Sequence, residues 1–214
     1  MAKRRGWPVH GWVNLDKPVG VSSAKAVAIV RRVFNAAKAG HGGTLDPLAS
    51  GVLPIALGEA TKTVSYAMDG AKSYAFTVTW GTQTTTDDLE GDVVETSLLR
   101  PTKAAIVAVI SEFTGNILQA PPAFSAIKID GKRAYKLARK AVRSADSEGL
   151  KKSSELAAMP EMEPRPVHID TLSLEVLSAE AATFHVTCGK GTYIRSLARD
   201  MALRLGTVGH VTML

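Results

Sequence analysis

Asp46 stands inside the segment Gly40–Lys62, GHGGTLDPLASGVLPIALGEATK, in a Gly- and Pro-rich loop directly ahead of an apolar run. The following Pro47 disfavours helix at Asp46 and pushes it toward extended backbone. Gly40, Gly42 and Gly43 permit backbone angles and close approaches that a Cβ would block. A carboxylate held next to Leu45, Leu48 and Val52 reads as a working group more than a solvated charge. The same residues also fit a structural turn whose Asp bonds nearby backbone amides. Both readings stay open on these residues alone.

The chain as a whole restricts the partners of such a group. With 214 residues and 45% hydrophobic content it has enough apolar material for one large domain, or one domain with an appendage. The net charge of +6 favours an anionic partner without identifying it. Basic residues cluster at Lys3-Arg4-Arg5, at Arg31-Arg32, from Lys128 through Lys132, Arg133, Lys136, Arg139 and Lys140 to Arg143, and at Lys151-Lys152. Each cluster alone reads as a solvated face; together they could follow a phosphate backbone. The single cysteine, Cys188, excludes an internal disulfide and a Cys-rich zinc site, and its alternating surroundings predict a packed thiol. No apolar run reaches the roughly 20 residues of a membrane span. The start, MAKRRGWPVHGW, lacks the apolar core of a secretion signal, so a cytoplasmic location is expected.

Several elements can be read from spacing. Ser22 or Ser23 caps a helix through Val27, Val30, Phe34 and Ala37. Ser73–Trp80 alternates as a strand with Tyr74, Phe76, Val78 and Trp80 on one face. Residues Thr82–Gly91 read as a polar loop carrying Asp87, Asp88 and Glu90, and Pro101 opens a helix through Ile106, Val107, Ile110 and Phe113. An Asp130-Gly131 turn precedes a basic helix from Lys132 to about Ala141. Residues 142–164, Ser-rich and charged, read as a mobile loop or a short helix on a tether. Strands around Val167–Val176 and Ala182–Cys188 and a helix from about Tyr193 to Leu205 complete the chain. Strands and helices without regular βαβ alternation predict an α+β fold.

Three motifs, in order, carry a resemblance. The run His41–Pro54, HGGTLDPLASGVLP, resembles the catalytic motif of the TruB family of pseudouridine synthases, whose bacterial members isomerise the T-loop uridine of transfer RNA. Leu15–Ser23, LDKPVGVSS, resembles the family's N-terminal motif, and Lys190–Arg195, KGTYIR, the motif near the end of its catalytic domain. The resemblance implies a mixed, mainly antiparallel sheet flanked by helices. It also implies a thumb-like insertion over about residues 122–164, whose basic helix closes on the RNA loop.

The implied reaction breaks the bond from uracil N1 to ribose, turns the ring and rejoins it through C5. It involves no redox step or phosphate transfer, so no cofactor and no metal are expected. By resemblance Asp46 is the nucleophile, its attack falling on C6 of the ring or C1′ of the sugar. Arg195 is the cation that keeps it ionised against burial, and a positive charge at a helix start calls for a specific anionic partner. Tyr74 stacks on the flipped uracil and serves in proton removal, at a flipping cost of a few kcal/mol. Tyr193 adds a polar contact, His41 supports the opened RNA loop, and Leu214 touches substrate. Lys17 and Lys62 are implied scaffold or backbone contacts. The implied partner is the T stem-loop of transfer RNA, bound by a monomer.

Two departures stand out. Thr84-Thr85-Thr86-Asp87-Asp88 lies where the family commonly shows Thr-Asp-Thr followed shortly by Asp, so Thr85 replaces an acid while Asp88 fits the later position. The sequence also stops at Leu214, where family members continue into a small C-terminal RNA-binding domain of the PUA type. That leads to the expectation of a missing domain and of a Leu214 free to fray. It also gives an alternative function, a transfer RNA-binding or folding module with little catalysis. A phosphate-binding hydrolase built on the glycines at 40–43 is disfavoured, because no Gly-Lys-Ser/Thr ending follows them.

Overall fold

The computed structural model describes residues 6–125, 127–129, 131–147, 160 and 162–214. The chain divides into two compact units, one reaching to Ala71 and including Leu214, the other spanning Lys72–Met213.

In the first unit, β1 (Gly11–Lys17), β2 (Ala39–His41) and β3 (Gly51–Leu57) form an antiparallel sheet in the order β1-β3-β2. Helix α1 (Ser23–Val33) covers it. Ser22 caps this helix as its sequence implies, its hydroxyl accepting the Lys25 amide at 3.3 Å. Ala26 and Val30 then pack with Leu53, Ile55 and Leu57 in a core that Val13, Leu15 and Leu45 extend. A short 3-10 turn (Gly58–Lys62) and α2 (Val64–Asp69) follow β3.

The second unit is built on an antiparallel five-stranded sheet in the order β12-β4-β11-β10-β7. Its strands are β4 (Lys72–Trp80), β7 (Gly115–Gln119), β10 (Arg165–Leu177), β11 (Ala181–Cys188) and β12 (Gly209–Met213). The alternation read at 73–80 holds: Phe76, Val78 and Trp80 are buried, with Phe76 stacked on Phe184 at 5.4 Å between ring centroids. Phe184 also meets Trp80 in a T-shaped contact at 6.5 Å between ring centroids. Helices α3 (Lys103–Ile110, capped by Thr102) and α5 (Ile194–Arg204) pack against this sheet. A small ladder joins β5 (Thr82–Thr84) to β6 (Val93–Thr96), and another joins β8 (Lys128–Ile129) to β9 (Lys132–Arg133) ahead of α4 (Ala134–Ser147). The architecture is α+β, and all its named ladders are antiparallel.

Several expectations change: the helix read through Ala37 ends at Val33, and α3 begins after a Thr102 cap and not at Pro101. The basic helix begins at Ala134 rather than Lys132, because Lys132 and Arg133 pair with Ile129 and Lys128 in a hairpin turned at Gly131 (φ 79°). It also continues to Ser147, taking in the first residues of the expected tether. Most of the remainder of that segment, 148–159 and 161, and Asp130 of the expected turn lie outside the described residues. The polar run Thr82–Gly91 is not a solvated loop. Thr82–Thr84 is strand, and Thr84, Thr85, Thr86, Asp87 and Asp88 are all buried. Their polar groups are satisfied inside the unit, by hydroxyl bonds within the turn and by two arginines from α5.

Candidate active site

Of the residues singled out from sequence, His41, Asp46 and Leu214 belong to the first unit, and Tyr74, Tyr193 and Arg195 to the second.

In the first unit the backbone on both sides of Asp46 is tied down. Ser23, buried at the start of α1, donates its hydroxyl to the Leu45 carbonyl and accepts the Leu45 amide, both at 2.9 Å. On the other side the Pro47 carbonyl accepts from the Gly20 amide at 2.7 Å and from Lys17 Nζ at 3.4 Å. Lys17 has no exposed surface and also donates to the carbonyls of Pro18 (3.0 Å) and Val21 (2.8 Å). Burial pulls its ammonium below the ordinary lysine pKa, and the Asp46 charge opposes that fall. The sequence motif around Lys17 and Ser23 is thus the clamp for the loop that carries Asp46.

Asp46 itself is half-buried, in the loop between β2 and β3, and its carbonyl closes a turn by accepting the Ala49 amide at 3.1 Å. Leu45 joins the core, while Val52 is exposed. His41 ends β2, half-buried, and its Nδ1 is buried with no hydrogen-bond partner among the described residues. The Leu214 carbonyl accepts the Ser50 amide at 2.9 Å, so the residue expected to fray is pinned at its backbone beside the end of the Asp46 loop. Lys62 is exposed and pairs with Glu59, a surface contact of little energetic weight.

Replacing Lys17 with Met, or Ser23 with Ala, is expected to cost about 1–3 kcal/mol each, because backbone groups lose their buried partners. Urea denaturation measures that loss directly.

In the second unit Tyr74 lies half-buried on β4, on the face that carries Phe76 and Val78, and pairs in register with Val186. Tyr193 immediately precedes α5, and its amide donates to Gln119 Oε1 at 2.8 Å. Two residues on, Arg195 is buried in the first turn, where a cation opposes the helix dipole. One anion beside it is Asp88, whose Oδ2 lies 3.6 Å from Arg195 Nε. Arg195 also donates from Nη1 to the Thr86 carbonyl (2.8 Å) and from Nη2 to the Phe124 carbonyl (3.1 Å). Asp88 is held in turn, Oδ1 accepting from the Thr86 hydroxyl at 2.5 Å and from the Glu90 amide at 2.9 Å. Gly91 leaves room for this turn, since a Cβ there would meet Thr86 Oγ1 at 2.5 Å and Thr85 Oγ1 at 2.6 Å.

Beside this pair lies one that the sequence did not single out. Arg199, one turn further along α5, donates from Nη1 to Asp87 Oδ2 (3.2 Å), from Nε to Asp200 Oδ1 (2.9 Å) and from Nη2 to the Ala120 carbonyl (2.9 Å). Burial pushes the Asp87 carboxyl up to about 6, against the pull of Arg199 and Arg195. The available signal was the i, i+4 spacing of Arg195 and Arg199 together with two consecutive aspartates.

Elsewhere, Cys188 is buried, and burial raises its thiol pKa, as its place in the strand led us to expect. Among the described residues no group of three or more His, Cys, Asp and Glu side chains is placed to hold a metal ion. Among the same residues no helix is long and apolar enough to cross a membrane.

Comparison with known proteins places these features. Over 207 residues the chain is 56% identical to a tRNA pseudouridine synthase B of Bradyrhizobium diazoefficiens, covering 96% of this chain and 55% of that protein. It is 52% identical over 210 residues to the Bartonella quintana protein of the same name, covering 98% of this chain and 72% of that protein. A Bartonella tribocorum relative, also so named, is 53% identical, with 98% and 61% covered. The chain thus spans between about half and three quarters of the length of these relatives. Among solved structures it is similar to a chain of a Cbf5-Nop10-Gar1 complex, with a TM-score of 0.66 and 30% identity over 95% of this chain and 46% of that one. The pattern described as TruB family pseudouridylate synthase (N terminal domain) matches residues 31–194, a span that takes in Asp46, Tyr74 and Tyr193. The chain belongs to the TruB family of pseudouridylate synthases.

Proposed function

We propose that this chain isomerises a uridine in the T loop of transfer RNA to pseudouridine. The observation that carries the reading is the double anchoring of the loop around Asp46, through Ser23 on Leu45 and through Lys17 and Gly20 on Pro47. A nucleophile gains most from being held in one attack geometry, and both flanking residues here are fixed by buried side chains. The names of its relatives, tRNA pseudouridine synthase B, support an isomerase over a module that only binds or folds transfer RNA.

In this reading the uridine is flipped out of its stack, and Tyr74 takes the uracil face, a contact worth about 1–3 kcal/mol. Asp46 forms the covalent intermediate that lets the base detach from ribose. The uracil turns, C5 bonds to C1′, the bond to Asp46 breaks and regenerates its carboxylate, N1 takes up a proton, and the C5 proton is removed with help from Tyr74 and leaves to solvent. Arg195 supplies the cation of the site, Tyr193 a polar contact, His41 support for the opened RNA loop and Leu214 an apolar contact. The basic hairpin and α4 act as the thumb that grips the RNA backbone; Arg139 already lies over the Tyr135 ring at 5.5 Å. Nothing in the step consumes a cofactor, and the reading carries with it a cytoplasmic monomer.

The test is positional. An unmodified transfer RNA transcript is incubated with the chain, and pseudouridine is mapped by carbodiimide adduct and primer extension. A single new stop in the T loop is the expected result. A stop elsewhere alone would overturn the assigned position.

A further inference from the structure

We propose that Asp87 and Arg199 form a positioning pair that holds Asp88 in place against Arg195. The inference rests on the isomerase reading and extends it to two residues outside the catalytic motifs.

The argument begins with backbone geometry. In extended chain, successive side chains point to opposite sides, so Asp87 and Asp88 would not ordinarily face one helix. Asp87 adopts φ 58°, a left-handed conformation uncommon for a residue with a side chain. That turn lets both carboxylates reach α5, where Arg195 and Arg199 lie one helical turn apart. Asp87 is also fastened through its backbone: its amide donates to the Thr84 carbonyl (3.2 Å), and its carbonyl accepts the Val211 amide (3.0 Å). Arg199 is fixed from a third side by the Ala120 carbonyl, which also accepts the Ser196 hydroxyl at 2.8 Å. The turn that carries Asp88 is thus locked to the same helix that carries Arg195.

The pair is an expensive way to hold a turn. A left-handed non-glycine residue and a buried carboxylate both oppose folding, and such features gather at functional sites. The groups facing Asp87 are Arg199, Arg195 and Asp200 from α5, with Asp88 next in the turn. On β12 the neighbouring His210 is engaged by the Thr82 carbonyl at 2.8 Å. Because the folded-state value for Asp87 is raised, the folded chain holds a proton where the unfolded chain has lost it. This contribution therefore favours folding as pH falls from above 6 toward 4 and is lost as pH rises through that window. At neutral pH an ionised Asp87 carries a desolvation penalty that Arg199 and Arg195 offset in part.

The experiment uses the whole chain with Asp87→Asn, Arg199→Gln and the double variant. Asparagine tolerates the left-handed conformation, so Asp87→Asn removes charge while keeping the turn. Turnover is read on a T-stem-loop RNA carrying 5-tritiated uridine, and Tm is followed at pH 5.5 and 8. The environment of Arg195 is read from its Nε–H signal in 15N spectra.

Asp87→Asn is expected to lower kcat by about tenfold or more with KM unchanged. Its Tm should match or exceed that of the unaltered chain at pH 8, and the Arg195 signal should shift. Arg199→Gln strands the Asp87 charge and lowers Tm; the double variant recovers Tm and turns over no more slowly than the slower single variant. Unchanged kcat in Asp87→Asn with an unmoved Arg195 signal would overturn the proposal, as would losses that multiply in the double variant. If the unaltered chain shows no turnover, the isomerase reading fails by itself, and the Arg195 signal still decides whether Asp87 positions it.

Discussion

Asp46→Asn is expected to lower isomerisation by about 10⁴-fold or more while leaving RNA affinity at least as tight. The amide is nearly isosteric with the carboxylate, so the contacts of Leu45 with Ser23 and of Pro47 with Lys17 should survive. What is lost is the proposed nucleophile, and removing a covalent catalyst leaves only the contribution of binding and orientation. Affinity is not expected to fall with it, because the substitution deletes a negative charge from a protein whose proposed substrate is a polyanion. Parallel measurements of single-turnover rate and of stem-loop affinity separate the two quantities. Weakened binding with turnover retained would show that Asp46 holds RNA and does no chemistry.

Arg195→Met is expected to be the most damaging substitution in the second unit. It strands the Asp88 carboxylate in a buried position and removes the donors to the Thr86 and Phe124 carbonyls. Breaking one half of a buried ion pair costs about 3–5 kcal/mol. Against a total stability of about 5–15 kcal/mol, that loss alone can unfold much of the protein at working temperature. Inactivity of this variant would therefore say little about catalysis. The double variant Arg195→Met with Asp88→Asn removes both charges, and replacing a whole buried pair is often nearly neutral. It should recover the stability lost to the stranded charge but not that lost with the donors to the Thr86 and Phe124 carbonyls, and still fail to turn over. A double variant that is stable and active would reduce Arg195 to a structural residue.

The fold was legible in sequence where one element decides its own burial. The alternation at 73–80, the strands near 167–176 and 182–188, the Ser22 cap and the helix after Tyr193 all follow from local period and capping chemistry. The turn at 84–88 did not, because its composition is that of a solvated loop. Its burial depends on Arg195 and Arg199, each more than 100 residues away in the chain. Lys132 and Arg133 misled for a related reason: their helix-forming side chains sit in a two-residue ladder set by the Gly131 turn.

The site was legible in part. The loop that carries Asp46 was visible, but the clamp on it was not. Lys17 acts on the carbonyls of Pro18, Val21 and Pro47, and a carbonyl acceptor leaves no mark in residue type. The two bonds from Ser23 to Leu45 likewise use backbone on one side. Ser23 could be read as a capping candidate, whereas Ser22 takes that role and Ser23 holds the catalytic loop. Asp87 and Arg199 were hidden because each alone resembles an ordinary surface charge.

The measurement that tests the central claim most directly is tritium release from T-stem-loop RNA labelled at uridine C5, with the unaltered chain and Asp46→Asn side by side. Forming the new carbon–carbon bond at C5 must expel that hydrogen, so release reports isomerisation and not binding. Release by the unaltered chain and none above background by Asp46→Asn is the predicted result. Equal release from both would contradict the assignment of Asp46, and bound RNA without release from either would contradict the proposed activity of this chain.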